Sequence, residues 1–271
     1  MSGASGNGSR GNGSRRNGGR PRLRGDGGWQ VRVLVPGLPL QSCSVLLTGP
    51  QSEQIIVDTG FPQHDSLLLE GLQRAGVKAG DITGVINTHY HLDHFGGNFL
   101  FPQAWVYGSK QDFDWAVAIY ESVSGGETRR EVFRRFYPEA TEAEFDRMDE
   151  ARVLQLLKWM WDPATLGDLA RYRWREEQEL GLAGLQILPT PGHTPGHLAL
   201  AVEGIEGPYL IVGDARPFAE DTAAGYDMPP HCQQRFLASR KLIDGFEGIL
   251  IPGHDDPFSQ SREAVTLGQQ P

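Results

Sequence analysis

The sequence predicts an α/β fold, a sandwich of sheets flanked by helices, and three observations predict it. Short apolar runs of strand length open the body and recur near its end. An amphipathic run at helical spacing separates the third of them from the fourth, and histidine and aspartate collect where several of the runs stop. A strand–strand–helix–strand alternation of this kind lets sheets bury one face on each other and the other under helices.

Residues 1–28 are Gly, Ser, Asn and Arg with almost nothing to bury, and Gly-Asn-Gly-Ser-Arg occurs at 6–10 and again at 11–15. A disordered tail is expected there, with one domain over 29–271 beginning near Trp29. Val31, Val33 and Val35 alternate through Gln30–Val35 as a half-buried strand does, and Cys43–Leu47 and Ile55–Val57 add two more around the Gly49-Pro50 turn. The third run delivers Asp58-Thr59-Gly60 to a strand end. Leu67, Leu68, Leu69, Leu72 and Ala75 give 66–75 a helical stripe that stops at Gly76. Ile82–Asn87 and Ala104–Tyr107 read as further strands.

Between those two strands lies Asn87-Thr88-His89-Tyr90-His91-Leu92-Asp93-His94-Phe95-Gly96-Gly97-Asn98. Two residues apart in extended backbone, His89 and His91 project to one side, and Asp93 and His94 continue where the chain turns. Imidazole nitrogens and carboxylate oxygens suit zinc and its neighbours. Four such donors exceed what one tetrahedral ion takes from a single segment, so two ions are expected. A chance polar turn is the poorer account, because adjacent buried imidazoles without a partner are costly to desolvate.

Residues 108–179 are a long insertion rich in charges and aromatics, with Trp115, Tyr120, Phe133, Phe136, Tyr137, Trp159, Trp161 and Trp174. Helices are predicted over 112–122, 143–161 and 166–178, broken at Gly125-Gly126, Pro138 and Pro163. Such a segment fits a wall or lid shaping an apolar pocket, with a dimer surface or plain packing as the alternatives. Strand pattern returns at Gly184–Leu188 and leads into Thr190-Pro191-Gly192-His193-Thr194-Pro195-Gly196-His197. Leu198–Val202 and Tyr209–Val212 pair through a turn, and the second ends in Gly213-Asp214. A helix over Cys232–Asp244 precedes the strand 248–251, which stops at Pro252-Gly253-His254-Asp255; the polar end from Phe258 reads as a partial helix. His64 and His231 match no motif and are read as surface or pocket-rim residues.

Thr88-His89-Tyr90-His91-Leu92-Asp93-His94 resembles the signature of the metallo-β-lactamase-fold hydrolases, and the later motifs match that superfamily's pattern in order from Val31 to His254. The resemblance implies a four-layer αββα sandwich carrying a helical insertion. It implies that His89, His91 and His193 hold one ion, that Asp93, His94 and His254 hold the other, and that Asp214 bridges them. Asp58 would support a ligand from behind, and His197 would be structural. The implied enzyme is a dinuclear zinc hydrolase, with iron, manganese or cobalt as alternative metals. A hydroxide between the ions would open a carbonyl ester, and Asp93 or Asp214 would relay a proton. Tyr226, Tyr120 and Thr194 are candidate acids for the leaving group. The ending Ile251–Asp255 and the insertion are most similar to the N-acyl homoserine lactonase-like branch, next to the glyoxalase II-like one, which makes a lactone the first substrate class and a thioester the second. One departure stands out: that lactonase branch carries a tyrosine three residues after the bridging aspartate, and here the position is Pro217. A phosphodiesterase or nuclease, a mononuclear iron dioxygenase and a non-catalytic binding module rank below.

A net charge of -9 argues against a general nucleic-acid surface. No apolar run approaches the roughly 18 residues that a membrane span requires, and 1–28 lacks the apolar centre of a secretory signal, so a cytoplasmic location is expected, with no membrane partner. Two distant cysteines, Cys43 and Cys232, are read as free thiols. The expected partner is a small molecule with an apolar portion, and a homodimer is an open option. Deleting residues 1–28 is expected to leave turnover and the urea midpoint unchanged; a large loss in either would give the tail a role beyond a solvated extension.

Overall fold

Side-chain alternation along the strands decides which residues meet in the middle of the molecule. The computed structural model describes residues 28–38, 41–141, 168–220 and 229–259. One sheet contains β1 (Gln30–Val35), β2 (Ser44–Thr48), β3 (Gln54–Val57), β4 (Gly84–Ile86), β5 (Trp105–Gly108) and β6 (Tyr172–Trp174), in that order. The other contains β7 (Leu185–Pro189), β8 (Leu198–Gly204), β9 (Gly207–Gly213), β10 (Ile249–Pro252) and β11 (Phe258–Ser259), running β11-β10-β9-β8-β7. Val45, Leu47, Ile55, Val57, Ile86 and Tyr107 of the first sheet pack on Leu198, Leu200, Val202, Tyr209, Ile211 and Ile251 of the second. This inner layer is the period-two face that the sequence shows.

The residues between them in sequence point the other way. Leu34, Leu46, Ile56, Val85 and Val106 pack against α1 (Asp65–Arg74), α3 (Lys110–Ser124) and α4 (Arg129–Phe136). On the far side Ala199, Ala201, Leu210, Val212 and Leu250 meet Ile243 of α5 (Gln233–Asp244). The order of layers is therefore helix, sheet, sheet, helix, as the resemblance implied.

Strand direction places the chemistry on one edge. β3, β4, β5 and β6 are mutually parallel, and β10 is parallel to β9, so the segments after β3, β4, β9 and β10 leave from the same rim. Because β2 runs antiparallel to β3 and β8 to β9, the approaches to β2 and β8 join them there. Short turns cannot link parallel strands; α1 and α5 make two of the returns, and the histidine-bearing loop with α2 (Leu92–Phe95) makes a third.

One reading of the insertion changes. Helix 112–122 is present as α3, but 168–178, the described part of the expected helix 166–178, is no helix: Leu169–Arg171 is one 3₁₀ turn and Tyr172–Trp174 pairs with β5, Val106 opposite Tyr172. Pairing with the edge of β5 ties these residues to the sheet, and the Tyr172 and Trp174 rings, two positions apart, both pack against Phe113. So the insertion is helical at its start and returns to the sheet at its end. Helix 143–161 lies outside the described residues. α4 was not foreseen, although Thr128 and Glu131 form the capping box that starts it. At the far end, Phe258–Ser259 is strand rather than helix, and the remainder lies outside the described residues. No described helix is long and apolar enough to cross a membrane.

Leu47 is fully buried between the sheets. Leu47→Ala is expected to lower the unfolding free energy by about 2–5 kcal/mol, read from urea denaturation, by removing contacts and leaving a cavity.

Candidate metal centre

The backbone leaving β4 bends at Thr88 and His89, and His91, with φ -82° and ψ 146°, is the last extended residue before α2. His89 and His91 share a side, while Tyr90 and Leu92 are buried in the core under the helices. Asp93 and His94 ride on α2. The loop between β7 and β8 brings His193, the end of β9 brings Asp214 and the end of β10 brings His254.

All seven converge in two sets. Donor atoms of His89, His91, His193 and Asp214 lie within 4.8 Å of one another, as do those of Asp93, His94 and His254. His91 Nδ1 is 3.1 Å from His89 Nε2 and 3.0 Å from His193 Nε2. Asp214 Oδ2 is 3.3 Å from His193 Nε2 and 3.9 Å from His89 Nε2. Its other oxygen, Oδ1, stands 3.3 Å from both His94 Nε2 and His254 Nε2. Asp93 Oδ2 closes the second set, 3.4 Å from His254 Nε2 and 3.7 Å from His94 Nε2.

These spacings fit metal. Four ligands about 2.0–2.1 Å from a tetrahedral zinc ion stand roughly 3.3 Å apart, close to the separations here. The buried His94 Nε2 also lacks a hydrogen-bond partner of good geometry, although it is surrounded by carboxylate oxygens. Such a buried atom is costly unless something bonds it.

Several rings are held from behind. Asp58 accepts from His94 Nδ1 at 2.7 Å, from the Thr88 amide at 2.8 Å and from the Thr88 hydroxyl at 2.7 Å. His254 Nδ1 donates to the carbonyls of Leu38 and Gln41 at 3.0 and 3.1 Å. His197 Nδ1 meets Thr190 Oγ1 at 2.9 Å, and its Nε2 accepts the Asp214 amide at 3.1 Å, fixing where Asp214 begins. Gly253 leaves room for Asp214, since a Cβ there would collide with Oδ1. Partners of this kind set ring orientation and ligand basicity.

Two contacts escaped the sequence reading. Tyr137, at the end of α4, places its hydroxyl 3.3 Å from His91 Nε2. Asp112 of α3, fully buried, accepts the amides of Tyr90 at 2.8 Å and Gly196 at 2.9 Å, tying the two histidine loops together. Of the three acids named from sequence, Tyr120 sits against the helix-side core, Thr194 lies beside Asp112, and Tyr226 is outside the described residues. The carbonyl of Pro217, the departure noted above, accepts the His254 amide at 2.8 Å. His231 is half-buried, its Nδ1 on the Phe136 carbonyl at 2.7 Å and its ring 5.8 Å from Trp115.

The charges of these side chains divide along the same line as the two sets. Burial, with neighbouring imidazoles adding to it, drives His89 well below its ordinary pKa; burial against the pull of carboxylates does the same to His193 and lowers His91 to about 4. At His254 burial opposes protonation, but Asp214 and Asp93 outweigh it and raise the pKa to about 9. His94 is likewise held well above its ordinary value against burial, by Asp214, Asp93 and Asp58. Burial resists ionisation of Asp214, and His254 and His94 still hold it well below the carboxylate range.

Comparison with known proteins agrees with this geometry. The profile of the metallo-beta-lactamase superfamily matches residues 37–265. Metallo-beta-lactamase domain-containing protein 1 of Rattus norvegicus is 32% identical over 215 residues, 78% of this chain and 65% of that protein. This chain thus spans slightly less than two thirds of that relative's length. An N-acyl homoserine lactonase of Bacillus thuringiensis is 24% identical over 230 residues, 74% of this chain and 76% of that one. The solved structure of AidC, a dizinc quorum-quenching lactonase, superposes with a TM-score of 0.52 at 20% identity over 79% of this chain and 72% of that one, a likeness of fold.

A group whose folded pKa is raised stabilises fully below its unfolded pKa and loses that contribution as pH rises through the folded value. For His254 that window runs from 6.5 to about 9. In chelator-treated protein the urea midpoint is expected to fall across it, and His254→Gln to flatten the fall.

Proposed function

Because the chain belongs to the metallo-beta-lactamase superfamily, we propose that it is a dinuclear zinc hydrolase that opens a small carbonyl ester, a lactone before a thioester. The observation that carries the reading is Asp214, whose two oxygens face different histidine sets, Oδ2 toward His193 and Oδ1 toward His94 and His254. A carboxylate split this way would serve both ions, with His89, His91 and His193 holding one and Asp93, His94 and His254 the other. The histidine-rich donor set favours zinc, with iron, manganese and cobalt as the nearest competitors.

When bound, such a pair of ions makes water acidic enough to ionise near neutral pH and polarises the electrophilic oxygen of a substrate. The remaining steps fall to the chain's own groups. Asp93 keeps 17% of its side chain exposed where His94 is wholly buried, so its carboxylate is the one ligand open to an incoming molecule and placed to take a proton. Asp58 and His197 keep His94 and Asp214 from moving as charge develops.

Support for an apolar portion of the substrate comes from the rings beside the centre. Trp115 lies 5.9 Å from His91 and packs on Phe136 and Tyr137, while Phe218 lies 6.1 Å from His254. These rings of α3 and its neighbour α4 support reading the insertion as a wall of the substrate pocket. The lactonases among the relatives make a lactone the first substrate to try.

The test is metal content per chain by elemental analysis of protein purified without added metal, paired with hydrolysis of an acyl lactone, a thioester and a bis-aryl phosphodiester. Two zinc per chain with lactone turnover is the expected result; one iron without hydrolysis would overturn it. His91→Ala is expected to remove an ion and reduce hydrolysis to background, and full activity in that variant would exclude the dinuclear assignment.

A further inference from the structure

His91 differs from the other histidines of the centre in the nitrogen it presents. His89, His94, His193 and His254 turn Nε2 inward, whereas His91 turns Nδ1, which lies 3.1 Å from His89 Nε2 and 3.0 Å from His193 Nε2. A neutral imidazole carries one N–H and one lone pair, so a ring that gives its Nδ1 lone pair to a cation must carry its proton on Nε2. That proton needs an acceptor, because the ring is buried. The Tyr137 hydroxyl, 3.3 Å away, is the acceptor in place.

Tyr137 is itself fixed. Its amide donates to the Phe133 carbonyl at 2.7 Å as the helix ends, and Pro138 follows, so α4 cannot run on past it. Its ring lies 5.1 Å from Phe133 and 5.6 Å from Trp115 and is 3% exposed. Burial pushes the phenol pKa up, so the oxygen stays protonated and neutral at physiological pH. The neighbouring Phe136 carbonyl takes Nδ1 of His231, whose amide donates to the His193 carbonyl at 3.0 Å. From the start of the same helical pair, Asp112 grips the amides of Tyr90 and Gly196.

The geometry points to Tyr137 as a positioning residue of the metal centre, one that sets the tautomer and rotation of His91, with Asp112 fixing the backbone on which His91 and His193 stand. The proposal rests on the metal reading above. In it, α3 and α4 are the outer support of the ion held by His89, His91 and His193, in addition to walling a pocket. The other ion, with Asp93, His94 and His254, draws its outer hydrogen bonds from Asp58 and the Leu38 and Gln41 carbonyls instead.

The experiment is a stepwise cobalt(II) titration of chelator-treated protein, followed by visible absorption, in the wild type and in Tyr137→Phe, which removes one oxygen and keeps the buried ring. Loss of an outer partner weakens metal by about 10–100-fold. The expected result is that loss at one of two ions, with an altered cobalt spectrum for that ion, the other unchanged and the urea midpoint of the chelated protein held. Asp112→Asn, which keeps one acceptor oxygen, is expected to weaken the same ion. Wild-type affinity and spectrum at both ions in Tyr137→Phe would overturn the proposal while leaving the metal reading standing. So would equal weakening at both ions together with a lower chelated midpoint, which is what a merely structural tyrosine would give. A wild type that takes up no cobalt would overturn the metal reading, and this proposal with it.

Discussion

One buried carboxylate organises the first half of the site. Asp58 leaves β3 with φ 56°, a left-handed conformation that aspartate tolerates better than most residues. From there it reaches Thr88 twice and His94 once. Its amide donates to Ile86, and the next amide, of Thr59, donates to His94. The end of β3 is therefore bonded to both ends of the loop that follows β4, and that loop carries His89, His91, Asp93 and His94. Without this anchor the four would sit on a polar turn with no fixed direction. Burial raises the pKa of Asp58, so its place depends on the donors around it.

A second constraint is electrostatic. Five imidazoles and two carboxylates share one buried volume, and no arrangement of neutral rings satisfies all of their inward-facing atoms. The protein distributes the problem unevenly. Burial holds the rings of His91, His193 and His197 neutral against the pull of Asp214, His197 down to about 3. His94 and His254, which face both Asp93 and Asp214 Oδ1, are the ones that attract positive charge. A set of neutral nitrogens beside a set of anionic oxygens, sharing Asp214, is the donor field that dications stabilise and that water satisfies poorly.

Most of this was legible in the sequence because the ligands sit at strand ends, where a two-residue period turns abruptly into glycine, proline and histidine. Val57-Asp58, Ile86-Asn87, Gly213-Asp214 and Pro252-Gly253-His254 each mark such a boundary, and all four fall on the same rim. What stayed hidden depends on contacts that no local pattern encodes. Tyr172 and Trp174 look helical beside their charged neighbours, and only the open edge of β5 makes them a strand. Tyr137 and Asp112 resemble the other aromatic and acidic residues of the insertion; their partners, His91 and Gly196, are remote in sequence. The Thr128–Glu131 capping box was a readable local signal for α4 and went unused.

Neither set of ligands belongs to a single sheet. His89 and His91 extend from the first sheet and His193 and Asp214 from the second; Asp93 and His94 come from the first and His254 from the second. Each ion would therefore be a clasp across the seam of the sandwich, and the second could close only once β10 has been made and docked. During synthesis the emerging chain would lack the last donor of the first cage until residue 214 had left the ribosome, and the last donor of the second until residue 254 had. In contrast to small zinc modules, which fold around their ion, this domain would acquire its metal as a finishing step.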